Sequence, residues 1–80
     1  MEGATNKVYR TSQGKLAVRH YHGTYMIVDV TTGMNEGWVK GDARKNGWKL
    51  LGEAPDGVAG GAKSTITPNN LTILRELANK

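Results

Sequence analysis

The chain contains no cysteine and no phenylalanine, and proline occurs at only two of its 80 positions. Without cysteine there can be no disulfide framework, thiolate zinc site or iron–sulfur cluster, so the usual cross-links of very small secreted domains are excluded. Runs of aliphatic residues reach only three, as in 26–28, whereas a bilayer-spanning helix needs roughly 20. The start of the chain lacks the apolar segment of a signal peptide. We therefore expect one small, soluble domain in the reducing cytoplasm.

Acidic residues are scarce in the first half of the chain. Residues 7–49 carry eight lysines and arginines against Asp29, Glu36 and Asp42, whereas residues 50–80 are neutral. The net charge of +4 and the isoelectric point of about 9.6 therefore arise in the first half. An isoelectric point above about 9 is an electrostatic footprint of nucleic-acid binding, although a positive field also favours acidic proteins and solubility.

Alternating segments rich in β-branched and aromatic residues, separated by turn residues, predict an antiparallel sheet. The expected strands are 7–11, 15–21, 24–30, 34–40 and 48–51. Gly33 is placed for a left-handed turn position, and Gly37 indicates a bulge in the fourth strand. Among the apolar residues, Trp38 and Trp48 are the bulkiest, and we expect at least one of them to contribute to the core.

The dipeptide Asn46-Gly47 is the clearest turn signal, and it has two interpretations. It forms either a two-residue hairpin turn or the end of a single helical turn that Asp42 caps and Gly47 terminates. Because Gly41 disfavours a strand at this point, we favour the helical turn.

A helix is expected over residues 67–80. Thr67 can cap its first turn through its side chain, and Pro68 suits the first helical position. Leu71, Leu74 and Leu77 recur at helical spacing, so they form the contact face of the helix. A helix of about 11 residues is marginal alone in water, so its leucines are expected to pack on the sheet or on a partner protein.

These elements predict four regions: a disordered N-terminus (1–6), an antiparallel β domain (7–52), a glycine-rich loop (53–66) and the C-terminal helix (67–80). The fold class is mainly β with one C-terminal helix. Four to five short strands are typical of a small meander or of an SH3-like or OB-like barrel.

Catalytic and cofactor motifs are weak. Residues 57–64 approach a phosphate-binding loop, but Ala62 replaces the glycine before the lysine and Pro68 stands where the following helix should be running. His20 and His22 would share one side of a strand, but two ligands do not make a metal site. Neither a nucleophile with its base nor a carboxylate pair in a pocket is evident. We therefore expect no enzyme activity, no metal and no cofactor.

The remaining feature is the interleaving of basic and aromatic residues, which is typical of nucleic-acid binding. The residues predicted to bind nucleic acid or another anionic partner are Arg19, Lys40, Arg44, Lys45, Trp48 and Lys49. One alternative is a small regulator of a nucleic-acid enzyme, of the mobile-element type, whose basic face or leucine helix contacts an acidic protein. Another is a structural subunit whose strand edges are paired in an assembly. No membrane partner is expected.

Overall fold

Five antiparallel strands form one open sheet, and a C-terminal helix packs on it. The computed structural model describes residues 5–20, 23–55 and 67–79. The elements are β1 (Thr5–Arg10), β2 (Leu16–Arg19), β3 (Thr24–Asp29), β4 (Met34–Lys40), α1 (Ala43–Asn46), β5 (Lys49–Pro55) and α2 (Pro68–Ala78). The strand order is β4-β3-β2-β1-β5, in which β5 returns to pair with β1. The predicted fold class is therefore confirmed, and the sheet is consistent with a small meander or a partial barrel.

The boundaries of β1 and β5 differ from the predicted ones. β1 begins at Thr5 rather than at residue 7, and β5 continues to Pro55 rather than ending near residue 51. The reason is tertiary: β5 lies against the full length of β1, from the pair of Thr5 with Pro55 to the pair of Arg10 with Lys49. This pairing recruits residues 5–6 and 53–55, which the sequence pattern assigned to the frayed terminus and the glycine-rich loop. Residues 1–4 and 56–66 lie outside the described residues.

The two glycine signals in the β3–β4 hairpin are confirmed. Gly33 has φ 76°, and its N–H donates to the carbonyl oxygen of Asp29 at 2.8 Å. On β4, Ile27 pairs with Gly37 whereas Val28 pairs with Asn35, so Glu36 is the extra residue of a bulge.

The main core lies between α2 and one face of the sheet. The strands contribute aliphatic side chains to it from every second position, as the alternation of a pleated sheet requires. The helix contributes Leu74, which is fully buried, and Leu77, which is 6% exposed. The buried residues of this cluster are Val8, Leu16, Val18, Met26, Val28, Ala54, Leu74 and Leu77.

Two arginines fasten α2 to the sheet at its C-terminal half. The Arg10 guanidinium donates to the carbonyl oxygen of Ala78, and the Arg75 Nε donates to the carbonyl oxygen of Val30 at 2.9 Å. Thr67 occupies the N-cap position, but its side chain makes no capping hydrogen bond, so that part of the prediction is wrong. Its φ of −62° and ψ of 151° and the Pro68 ring define the start of the helix instead.

The opposite face of the sheet carries a second, smaller cluster. Ala17, Tyr25 and Ala43 are buried there, with Tyr9, Ile27 and Trp48 partly buried around them. Neither tryptophan is fully buried: Trp48 packs against this cluster, and Trp38 is 36% exposed. The main core is filled by leucine, valine and methionine, so the bulk of a tryptophan is not needed there.

Candidate functional site

A groove of about 500 Å³ lies on the face of the sheet opposite α2, between the strands and α1. Its lining combines three cationic side chains, three aromatic rings, two small or aliphatic side chains and one carboxylate. The lining residues are Lys7, Tyr9, Arg19, Tyr25, Asp42, Ala43, Arg44, Trp48 and Leu50. The volume falls within the range of about 300 to 1,000 Å³ that is usual for small-molecule sites.

Strand pairing builds the sheet side of the groove as two adjacent rows. Arg19 on β2 pairs with Tyr25 on β3, and the register of β1 with β2, extended by one residue, brings Lys7 beside Arg19. In the next row, Tyr9 pairs with Ala17 on one side and with Leu50 on the other. Because paired residues of antiparallel strands share a face, the register places the cationic row and the apolar row side by side.

The one-turn helix α1 forms the other side of the groove. The Asp42 carboxylate accepts a hydrogen bond from the backbone N–H of Arg44 at 2.8 Å, and Gly47 ends the turn with φ 71°. The backbone N–H of Trp48 then donates to the carbonyl oxygen of Ala43 at 3.0 Å. The helical-turn interpretation of Asn46-Gly47 is therefore confirmed, and the turn directs the chain so that Trp48 returns to the sheet.

Three aromatic rings form a continuous contact at the base of the groove. The centroids of Tyr25 and Trp48 are 5.1 Å apart with an angle of 87° between the ring planes. The centroids of Tyr9 and Tyr25 are 5.9 Å apart with an angle of 75°. These are edge-to-face arrangements, which are favoured by the ring quadrupoles. Tyr25 is only 5% exposed, so the partly exposed surfaces of Tyr9 and Trp48 are the ones that a ligand can reach.

Ion pairing separates the cations of the basic half into two groups. The Lys15 Nζ lies 2.8 Å from the Glu36 Oε1 and 3.4 Å from the Asp29 Oδ2, so both carboxylates of the β3–β4 hairpin form ion pairs with Lys15. These are the ion pairs found among the described residues. Among the described residues, none of the ion pairs involves Lys7, Arg19 or Arg44. Two carboxylates lie nearby, since Asp42 lines the groove and Glu53 is the cross-strand partner of Lys7, so the three cations exceed the acidic side chains around the groove by one.

The Lys15 cluster also shifts two pKa values. The hydrogen bond to Glu36 is the largest cause that raises the pKa of Lys15 above its usual value of 10.5. The backbone N–H of Thr31, which donates to Asp29 at 2.9 Å, is the largest cause that lowers the pKa of Asp29 below 3.8. Both groups are therefore charged at neutral pH, and they belong to the hairpin rather than to the groove.

Three of the six residues predicted to bind an anionic partner line the groove, namely Arg19, Arg44 and Trp48. The others are exposed but not part of its lining. Lys45 follows Arg44 on α1, and Lys49 pairs with Arg10 at the start of β5. Lys40 lies next to Val39, the partner of Tyr25, so strand alternation directs Lys40 to the face opposite the groove.

Six lining residues were absent from the predicted binding set: Lys7, Tyr9, Tyr25, Asp42, Ala43 and Leu50. A signal was present for the first two, because Lys7 and Tyr9 are two positions apart on a strand and must share a face. Leu50, which is 52% exposed, carries no such signal, since its position depends on the pairing of β5 with β1.

The leucines predicted to contact a partner protein pack against residues of the chain itself. Leu74 and Leu77 are buried in the main core, and Leu71 is partly buried near the Gly33 turn, where a Cβ on the glycine would lie 3.0 Å from the Leu71 Cδ2. The helix therefore docks on its own sheet, which was one of the two predicted alternatives.

The remaining motifs form no site in the described part of the chain. The His20 and Trp38 rings are in contact, with centroids 5.2 Å apart and a tilt of 57° between the ring planes. His22 and residues 57–64, which resemble a phosphate-binding loop, lie outside the described residues. No group of three or more potential metal-ligating side chains occurs in residues 5–20, 23–55 and 67–79. Over the same residues, no helix has both the length and the apolar character needed to cross a membrane.

Comparison with known proteins found no match to a family model, to a curated protein or to a solved structure.

Proposed function

We propose that the chain is a non-enzymatic binding module whose groove takes nucleic acid. The observation that carries this proposal is a single concavity that combines positive charge with aromatic rings. Its floor is formed by three aromatic side chains, and its cationic side chains, which have no ion pair among the described residues, are Lys7, Arg19 and Arg44. Lysine and arginine neutralise phosphates and release condensed counterions, and this electrostatic contribution dominates the affinity of most nucleic-acid binders. Aromatic side chains add stacking on bases.

We favour this proposal over the alternative in which the leucine face of α2 contacts a protein. Leu74 and Leu77 lie in the main core, so a partner could reach them only if the helix left the sheet. The alternative in which an acidic protein enters the groove is tested by the polyglutamate probe described below.

The salt dependence of binding tests the proposal. Fluorescence anisotropy would be measured with a labelled oligonucleotide over a series of salt concentrations. If the three cations each contact one phosphate, the plot of log K against log[salt] has a slope of about −2 to −3. We expect Arg19→Ala and Arg44→Ala each to reduce the size of this slope by about 0.7 to 0.9.

Lys40→Ala is the matched control, because it removes one exposed positive charge from the opposite face of the sheet. We expect it to change the slope by much less than Arg19→Ala does. Absence of any binding at low salt would refute the proposal. Equal effects of Lys40→Ala and Arg19→Ala would show that net charge, rather than the groove, determines binding.

A further inference from the structure

The shape of the groove bears on which form of nucleic acid it takes. Duplexes are read by helices or strands that project into the grooves of the nucleic acid, whereas unpaired bases are bound in concave sites lined by aromatic rings. The present site is concave, and its volume of about 500 Å³ is of the order of one or two nucleotides rather than of a duplex segment. In a duplex the faces of the bases are already stacked, so they could not reach the rings at the base of the groove.

Trp48 is the ring best prepared to receive a base. Its indole is partly exposed, and its edge-to-face contact with the buried Tyr25 ring restrains its orientation. Its backbone is held by the hydrogen bond to the carbonyl oxygen of Ala43. A ring that is already oriented loses little conformational freedom on binding, and this preorganisation favours affinity. Tyr9, on the other side of Tyr25, provides a second partly exposed ring.

The cations are placed on two sides of these rings. Lys7 and Arg19 belong to the sheet, whereas Arg44 belongs to α1. A strand that inserts a base between the sheet and α1 therefore meets a positive charge on either side of that base. The charge complementarity matches a flexible sugar–phosphate backbone with an unpaired base.

We propose that the groove selects single-stranded nucleic acid, with one base stacked on Trp48 and its flanking phosphates held by Arg19 and Arg44. This inference rests on the proposed function, because it names the form of nucleic acid that the same groove would bind. It adds a specific role for an aromatic side chain, which electrostatic attraction alone does not require.

Tryptophan fluorescence provides a direct test. In a Trp38→Phe background, Trp48 is the single tryptophan of the chain, so its emission reports on the groove alone. The probes are an oligothymidylate of about 12 nucleotides and a mixed-sequence duplex of the same length. We expect the single strand to quench Trp48 and to bind at least about tenfold more tightly than the duplex.

Substitution of Trp48 separates stacking from charge. In the wild-type background, measured by anisotropy with labelled probes, we expect Trp48→Leu to weaken single-strand binding by about 5- to 150-fold while the salt slope stays unchanged. Trp48→Phe keeps a ring that fills the space beside Tyr25, and we expect it to restore most of the affinity. Circular dichroism of both variants shows whether each retains the fold.

The outcomes distinguish this inference from the proposed function. Equal binding of single strand and duplex without quenching would overturn the single-strand inference and leave nucleic-acid binding intact. Absence of binding to either probe at low salt would overturn both proposals. Equally tight binding of polyglutamate, without an effect of Trp48→Leu, would show a general anion site and would also overturn the inference.

Discussion

Replacement of Gly52 by alanine is expected to destabilise the fold through a close contact with Leu77, in addition to the cost of a side chain at a φ of 159°. Gly52 lies on β5 opposite Val8, where the sheet meets α2. A Cβ at this position would lie 2.8 Å from the Leu77 Cδ2, which is closer than real Cβ contacts allow. Leu77 is only 6% exposed within the main core, so its side chain cannot move away without disturbing its buried neighbours.

The expected cost of Gly52→Ala is about 1 to 3 kcal/mol, the usual effect of an added methyl group in a packed core. A domain of 80 residues has a free energy of unfolding of about 4 to 12 kcal/mol, so the loss is measurable. Urea denaturation followed by circular dichroism would show the midpoint falling by about 1 M. Gly41→Ala is the control, since the nearest atom to its new Cβ is the side-chain nitrogen of the exposed Asn46. We expect it to change stability by less than about 0.5 kcal/mol.

A double-mutant cycle identifies the responsible contact. Leu77→Ala alone removes buried volume and is expected to cost about 2 to 5 kcal/mol. In the double variant the alanine methyl group at position 52 occupies part of the space that Leu77 leaves. The combined loss should therefore be smaller than the sum of the single losses by at least about 1 kcal/mol. Additive losses, or a Gly52→Ala variant as stable as the wild type, would refute the close packing of α2 on β5.

Three further predictions concern the helix, the α1 turn and the β3–β4 hairpin. Leu74→Asp, which buries a carboxylate in the main core, should leave the chain unfolded by circular dichroism at 25 °C; a cooperative thermal transition near that of the wild type would contradict this. Gly47→Ala should cost about 1 kcal/mol in urea denaturation, because the left-handed φ of 71° disfavours a Cβ, and Gly47→Asn should cost less; equal stability of all three forms would argue against the observed C-cap. The lowered pKa of Asp29 means that its carboxylate contributes stability above about pH 4, and that this contribution is lost as the pH falls through the folded-state pKa. An NMR titration should place the Asp29 midpoint below 3.8, and Lys15→Met should leave most of this lowering in place because the Thr31 N–H is its largest cause; a midpoint at or above 3.8 would show that the hydrogen bonds of the turn do not form.

The sheet assigns stability and proposed binding to different faces. The α2 face holds the fully buried leucine, valine and methionine side chains, whereas the groove face holds Lys7, Arg19, Arg44 and the partly exposed rings. Arg19 and Arg44 are solvent-exposed and line the groove, on the face opposite the main core. Substitutions at these two positions are therefore expected to change binding without unfolding the chain, so the salt-slope experiment can be interpreted on folded protein.

Local sequence chemistry determined the identity of most elements. Alternation of apolar residues predicted the first four strands, Gly33 and Gly37 marked the hairpin turn and the bulge, and Pro68 marked the start of the helix. These features depend on the backbone preferences of a few neighbouring residues, so they can be read without knowledge of the fold.

Tertiary structure alone decided the pairing of β5 with β1 and the composition of the groove. The local pattern around Gly52 disfavours a strand. A strand nevertheless forms there because it pairs with β1, and a glycine fits at position 52 because α2 approaches the strand closely. The same pairing brings Leu50 and Trp48 from late in the chain to Lys7 and Tyr9 near its start. Charge density along the chain favoured Lys45 and Lys49 for the binding surface, but the lining of a groove depends on which face of which strand each side chain occupies. That choice follows from contacts between residues distant in sequence, which a local pattern does not encode.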